Sequence, residues 1–144
     1  MKTIDICDKK IKLYNSNDDK APLIILNTVM DEGESVFNQI KHLTQKDFNF
    51  CAIGNLDWNS DMSPWEIAPI SKNDVPCKGK ADEYLEQLVS KIIPEVRKDP
   101  EYIALCGYSL AGLFAIYSLY RTDIFSRIAS ASGSFWYPNF CKFV

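Results

Sequence analysis

The sequence is poor in the features that mark several large functional classes. Its five cysteines, Cys7, Cys51, Cys77, Cys106 and Cys141, are odd in number and contain no C-x-x-C spacing, which argues against a disulfide framework or a zinc site. It has no excess of positive charge: 16 Lys and Arg stand against 19 Asp and Glu, for a net charge of −3. With no basic cluster interleaved with aromatics, a nucleic-acid surface is not indicated. No run approaches the 18 or so uninterrupted apolar residues of a membrane span, and MKTIDICDKK has no apolar leader core. The expectation is a cytoplasmic protein. Histidine is scarcest of all, with one, His42, in 144 residues.

What is present is ample core material, 47% hydrophobic and 12% aromatic residues, enough for one folded domain over residues 1–144. Strands are expected at Thr3 to Cys7 and Ile11 to Tyr14 as a hairpin, then at Leu23 to Leu26 and Phe48 to Ile53. A helix from Ser35 places Val36, Phe37, Ile40 and Leu43 on one face, with His42 opposite it in solvent. A long loop from Gly54 to Lys80 leads to a helix over Ala81 to Arg97. Its buried side is Tyr84, Leu85, Leu88, Ile92 and Val96, and Pro94 is expected to kink it. Arg127 to Ala131 reads as a final strand. Strands alternating with helices imply an α/β protein with a mostly parallel sheet covered on both faces.

The segment from Tyr102 to Tyr120, YIALC-GYSLAG-LFAIYSLY, is the most informative. A β-forming apolar run and an apolar run of helical length flank a turn of small residues, Gly107, Ala111 and Gly112, with Ser109 at its apex. This is the pattern of a nucleophile elbow, with Ala111 in place of the last glycine of G-x-S-x-G. A serine before a helix also serves as an N-cap. The strand, turn and helix in the required order favour the elbow. Its chemical purpose is to present Ser109 Oγ to a carbonyl while the Leu110 N–H, opening a helix, points at the oxyanion.

From Pro22 to Pro138 the chain resembles the esterase family of α/β-hydrolases that includes esterase D and the enterochelin-type siderophore esterases. Three blocks carry the likeness: APLIILNTVMDEGESVF, FCAIGNLDWNSDMSPW and CGYSLAGLFAIYSLYRTDIFSRIASASGSFWYP, the last ending in the Ser-x-Ser-x-Trp segment Ser132 to Trp136. The resemblance implies a three-layer α/β-hydrolase sandwich, of which this chain is the N-terminal two thirds, and a carboxylesterase that forms an acyl-enzyme on Ser109. It implies no cofactor and a small-molecule ester as partner. Asn27-Thr28-Val29 matches the family's Asp-Gly-x turn, which makes the Val29 N–H the second oxyanion donor, unless the segment is an ordinary strand-to-helix loop. Trp58, Trp65, Tyr108 and Trp136 are candidates for contacting substrate, though loop tryptophans also simply pack. Asp57 and Asp61 are expected to serve turns and caps.

In this fold the acid and the histidine follow the serine on later loops. Only Asp123 follows here, in a surface turn, and His42 lies upstream. The general base is therefore expected from outside this chain, and the isolated chain should hydrolyse esters weakly or not at all. The alternatives are a non-catalytic remnant acting as a binding or assembly protein, and an acyltransferase of the same chemistry. The last strand, left without a neighbour, is expected to favour association with a second copy.

Overall fold

The computed structural model describes residues 1–69 and 71–144. A hairpin, β1 (Lys2–Ile6) and β2 (Lys9–Tyr14), is followed by β3 (Leu23–Asn27), α1 (Gly33–Leu43) and β4 (Asn49–Gly54). The stretch expected as loop holds a one-turn α2 (Trp58–Asp61) and a two-stranded ribbon, β5 (Glu66–Ile67) with β6 (Cys77–Lys78). Then come α3 (Ala81–Gln87), a π-turn over Leu88–Ile92, α4 (Ile93–Val96), β7 (Ile103–Tyr108), α5 (Ser109–Ser118), β8 (Arg127–Ala131) and α6 (Phe140–Phe143).

The large sheet runs β1-β2-β4-β3-β7-β8. Its right half is parallel: β3 pairs with β4 and β7 (Ile25 opposite Cys51 and Leu105), and β7 pairs with β8 (Tyr108 opposite Ala131). The hairpin joins antiparallel, β2 against β4. Each face carries an apolar cluster, as a sheet built mainly from crossover units requires. On one side Tyr84, Leu88, Ile92, Leu113 and Phe114 pack over Ile25, Ile53 and Leu105. On the other, Val36, Phe37 and Ile40 of α1 cover Leu26, Phe50 and Tyr14.

Two expectations need correction. Leu43 belongs to the apolar stripe of α1 by spacing, yet it is 86% exposed; the helix ends there and Thr44 is extended, so the last turn overhangs the sheet. The long helix of 81 to 97 is not simply kinked at Pro94. The ladder widens into a π-turn just before the proline, which lets the chain pass a residue that cannot donate the next helical hydrogen bond. All five residues assigned to its inner side are buried.

β8 forms one edge of the sheet among the described residues, and its side chains alternate between exposed and half-buried. No helix among the described residues is long and apolar enough to cross a membrane.

Candidate active site

β7 lies inside the sheet, between β3 and β8, and is almost wholly buried, and α5, which leaves its carboxyl end, is buried along eight of its ten residues. The chain must reverse direction between them within one residue. Tyr108 is extended at φ −127° and ψ 159°, and Ser109 follows at φ +51°, in the left-handed region. A non-glycine residue there costs about 1–3 kcal/mol unless its surroundings hold it. Those surroundings are tight. A Cβ on Gly107 would lie 2.3 Å from the Ala111 carbonyl oxygen, and one on Gly112 would lie 2.6 Å from Ser130 Oγ and 3.0 Å from Gly133 Cα. Glycine at both positions lets α5 fold back onto β7 and sit against the segment after β8. Ala111 is fully buried in the core.

This turn leaves Ser109 exposed at the carboxyl edge of the sheet. Its Oγ lies 3.4 Å from Ser134 Oγ, and its carbonyl accepts from the Ser134 N–H at 3.0 Å, which ties the elbow to the segment after β8. The Leu110 amide stands in the first turn of α5, where N–H groups have no carbonyl partner within the helix and the dipole favours negative charge. Above Ser109 opens a cavity of about 310 Å³, with Ser134, Trp58, Trp136, Asn59 and Asp74 among its walls. Crevices at the carboxyl ends of parallel strands are the usual ligand sites of α/β sheets.

The remaining sequence-derived candidates scatter around this point. Trp58 and Trp136 line the cavity, the latter 62% exposed. Trp65 packs instead: its Nε1 donates to the Pro138 carbonyl at 2.9 Å, its own carbonyl accepts from Tyr137 Oη, and its ring meets Phe140 and Phe143. Tyr108 turns toward the β3–α1 loop, with Trp58 on its ring at 5.5 Å, and donates to Glu32 Oε1. The Val29 N–H also faces Glu32 Oε1, at 3.2 Å, and the Tyr108 hydroxyl, at 3.3 Å, while the Met30 N–H donates to Glu32 Oε2 at 2.8 Å. Burial pushes the Glu32 carboxyl up, but hydrogen bonds from Tyr108 and the loop amides outweigh it and hold it below its ordinary value. Tyr108, half-buried beside that carboxylate, is pushed up to about 12.

His42 is exposed on α1 and is not part of the cavity wall. Asp61 pairs with Lys9 at 2.8 Å and accepts from the Asp57 N–H, a local structural use. Asp123 is exposed in the turn after α5. The sequence reading did not single out Ser134, Asp74, Asn59 or Glu32. Ser134 stood in the quoted Ser-x-Ser-x-Trp segment, which was its one signal; Asn59 in α2 and the loop residues Glu32 and Asp74 carry no local pattern until the fold brings them near the site.

No family model matches the sequence. A curated relative, the uncharacterized protein YbbA of Bacillus subtilis (strain 168), is 29% identical over 86 residues, 55% of this chain and 34% of that protein. Among solved structures, the BES protein from Bacillus cereus superposes with a TM-score of 0.73 at 18% identity, covering 96% of this chain and 62% of that one. The siderophore hydrolase EstB from Aspergillus nidulans gives 0.66 at 19% identity, covering 96% and 57%. The enterobactin hydrolase IroE, in complex with DFP, gives 0.65 at 22% identity, covering 96% and 62%. The chain thus spans about a third of the curated relative and three fifths of these structures. Its fold is the one these solved structures share, a mostly parallel α/β sheet with helices packed on it.

Proposed function

We propose that this chain is the nucleophile-bearing part of a serine hydrolase of the carboxylesterase type. The observation that carries the reading is Ser109 itself, held at φ +51° between an inner strand and a buried helix, exposed beneath a cavity. In the reaction Ser109 Oγ adds to an ester carbonyl and its proton passes to a base. The carbonyl oxygen becomes an oxyanion beside the Leu110 N–H. Collapse breaks the ester bond, the alcohol leaves with the proton, and water then hydrolyses the acyl group from Ser109. Val29 is the second oxyanion donor in this reading, and its amide reaches that role only when Glu32 gives it up. Trp58 and Trp136 shape the substrate side.

The side chain nearest to Ser109 Oγ in hydrogen-bonding terms is another hydroxyl, Ser134, which has no useful basicity. The one histidine lies elsewhere on the surface. In this reading an imidazole and its acid come from outside these residues, and the chain alone works without general-base assistance worth about 10²- to 10⁴-fold. This same observation favours the second reading, a binding protein that keeps the elbow without turnover. The two separate in a rapid-mixing experiment with 4-nitrophenyl acetate. The hydrolase reading expects a burst approaching one equivalent of 4-nitrophenolate per chain, lost in Ser109→Ala. Its logarithmic rate should climb from pH 6 to 9 without the levelling that an imidazole near 6.5 would impose. A burst that persists in Ser109→Ala would reject it, and no burst at all would favour the binding protein.

A further inference from the structure

The cavity over Ser109 has an electrostatic character that the hydrolase reading leaves unused. Two indole rings, Trp58 and Trp136, stand in its wall. Among the described lining residues Asp74 alone is charged, and none is Lys, Arg or His. The Asp74 carboxylate accepts the Ser71 N–H through Oδ2 at 2.8 Å and makes no ion pair among the described residues. Asn59 is tied through Nδ2 to the Val75 carbonyl at 3.0 Å, which engages one of its two amide N–H donors.

Each of these features acts on charge in the same direction. The face of an indole is the negative end of its quadrupole and attracts cations. A carboxylate in a concave, partly apolar site focuses a field that draws positive and repels negative groups. No cationic side chain stands in the described wall to receive an anion. The volume, about 310 Å³, lies at the small end of the range of about 300–1,000 Å³ in which small-molecule sites fall.

We propose that the ligand of this site is a small ester bearing a cationic group, an ammonium or quaternary ammonium, seated against Trp58 and Trp136 with Asp74 as its counter-charge. The word ester rests on the Ser109 reading above; the positive charge rests on the cavity wall alone. An anionic ester of the same size meets the Asp74 carboxylate, with only the Leu110 end of α5 in its favour.

Binding tests this without requiring turnover. The Ser109→Ala protein is titrated with acetylcholine, with its uncharged carbon isostere 3,3-dimethylbutyl acetate, and with the anion monomethyl succinate, followed by indole fluorescence and by NMR shifts. The cation should bind about five- to tenfold more tightly than the isostere, a factor typical of a partly exposed aromatic contact, and the anion should not saturate the site. Asp74→Asn, a change at an exposed loop residue, should narrow the cation-to-isostere ratio to about twofold, and Trp136→Leu should weaken the cation more than the isostere. Equal affinities, tighter binding of the anion, an unchanged ratio in Asp74→Asn, or no saturable binding would each overturn the proposal. A reactive Ser109 without cation preference would sink this proposal alone. Cation preference with an inert Ser109 would leave the binding site standing and remove the hydrolase.

Discussion

A serine at φ +51° is an expensive choice for a turn that glycine would make freely. Most substitutions destabilise a protein, but Ser109→Gly should do the reverse. Relief of the left-handed strain outweighs the added freedom of the unfolded chain, and a gain of about 0.5–1 kcal/mol is expected in denaturant melts. A loss of stability would mean that Ser109 holds its place through favourable contacts and that the turn stores no strain. Glu32 gives a second prediction at this scale. Its folded pKa lies below its ordinary value of 4.5, so its contribution is fully present above that value and is lost as pH falls through the folded one. Glu32→Gln should therefore flatten the decline in melting temperature below about pH 4.5 and lower stability at pH 7. Parallel acid declines in the two proteins would show that the loop amides and Tyr108 do not hold the carboxylate.

Among the elements, the elbow depends on backbone approach more than on side-chain chemistry. Gly107→Ala would drive a Cβ to 2.3 Å from a carbonyl oxygen that cannot rotate away. A loss of about 2–3 kcal/mol is expected from such overpacking, together with displacement of α5 from β7. A variant with unchanged stability and an intact cavity would show that the turn is looser than the distances imply. This element was legible in the sequence because strand, small-residue turn and helix each follow from local rules that agree. The four parallel strands and the inner side of 81 to 97 were legible for the same reason. The ribbon β5–β6 and the single turn α2 were not: two-residue strands and four-residue helices carry no periodicity to read. Leu43 misled because spacing records direction around a helix axis but not where the sheet beneath it ends. The placements of Trp65 and Tyr108 depend on tertiary partners, Pro138 and Glu32, which lie 73 and 76 residues away.

At the scale of the molecule, the sheet sets Ser109 beside Ser134 because β7 and β8 end in register, Tyr108 opposite Ala131, so that the segments following both meet over one edge. The same arrangement brings in Trp58 from the connection after β4 and Trp136 from the segment after β8. The site is thus assembled from parts of the chain far apart in sequence, and a reading of local patterns can find its serine without finding its walls. Among the described residues β8 forms a sheet edge, and pairing there with a second copy is the route by which we propose the chain would self-associate.

The central claim is that Ser109 is a nucleophile, and covalent capture tests it most directly. The chain is incubated at pH 8 to 9 with excess fluorophosphonate, its intact mass is read, and the modified peptide is sequenced. The account predicts one adduct per chain, located on Ser109, forming more slowly than in an enzyme with an imidazole base and absent from Ser109→Ala. A folded chain that stays unmodified, or an adduct that forms equally in Ser109→Ala, would contradict it.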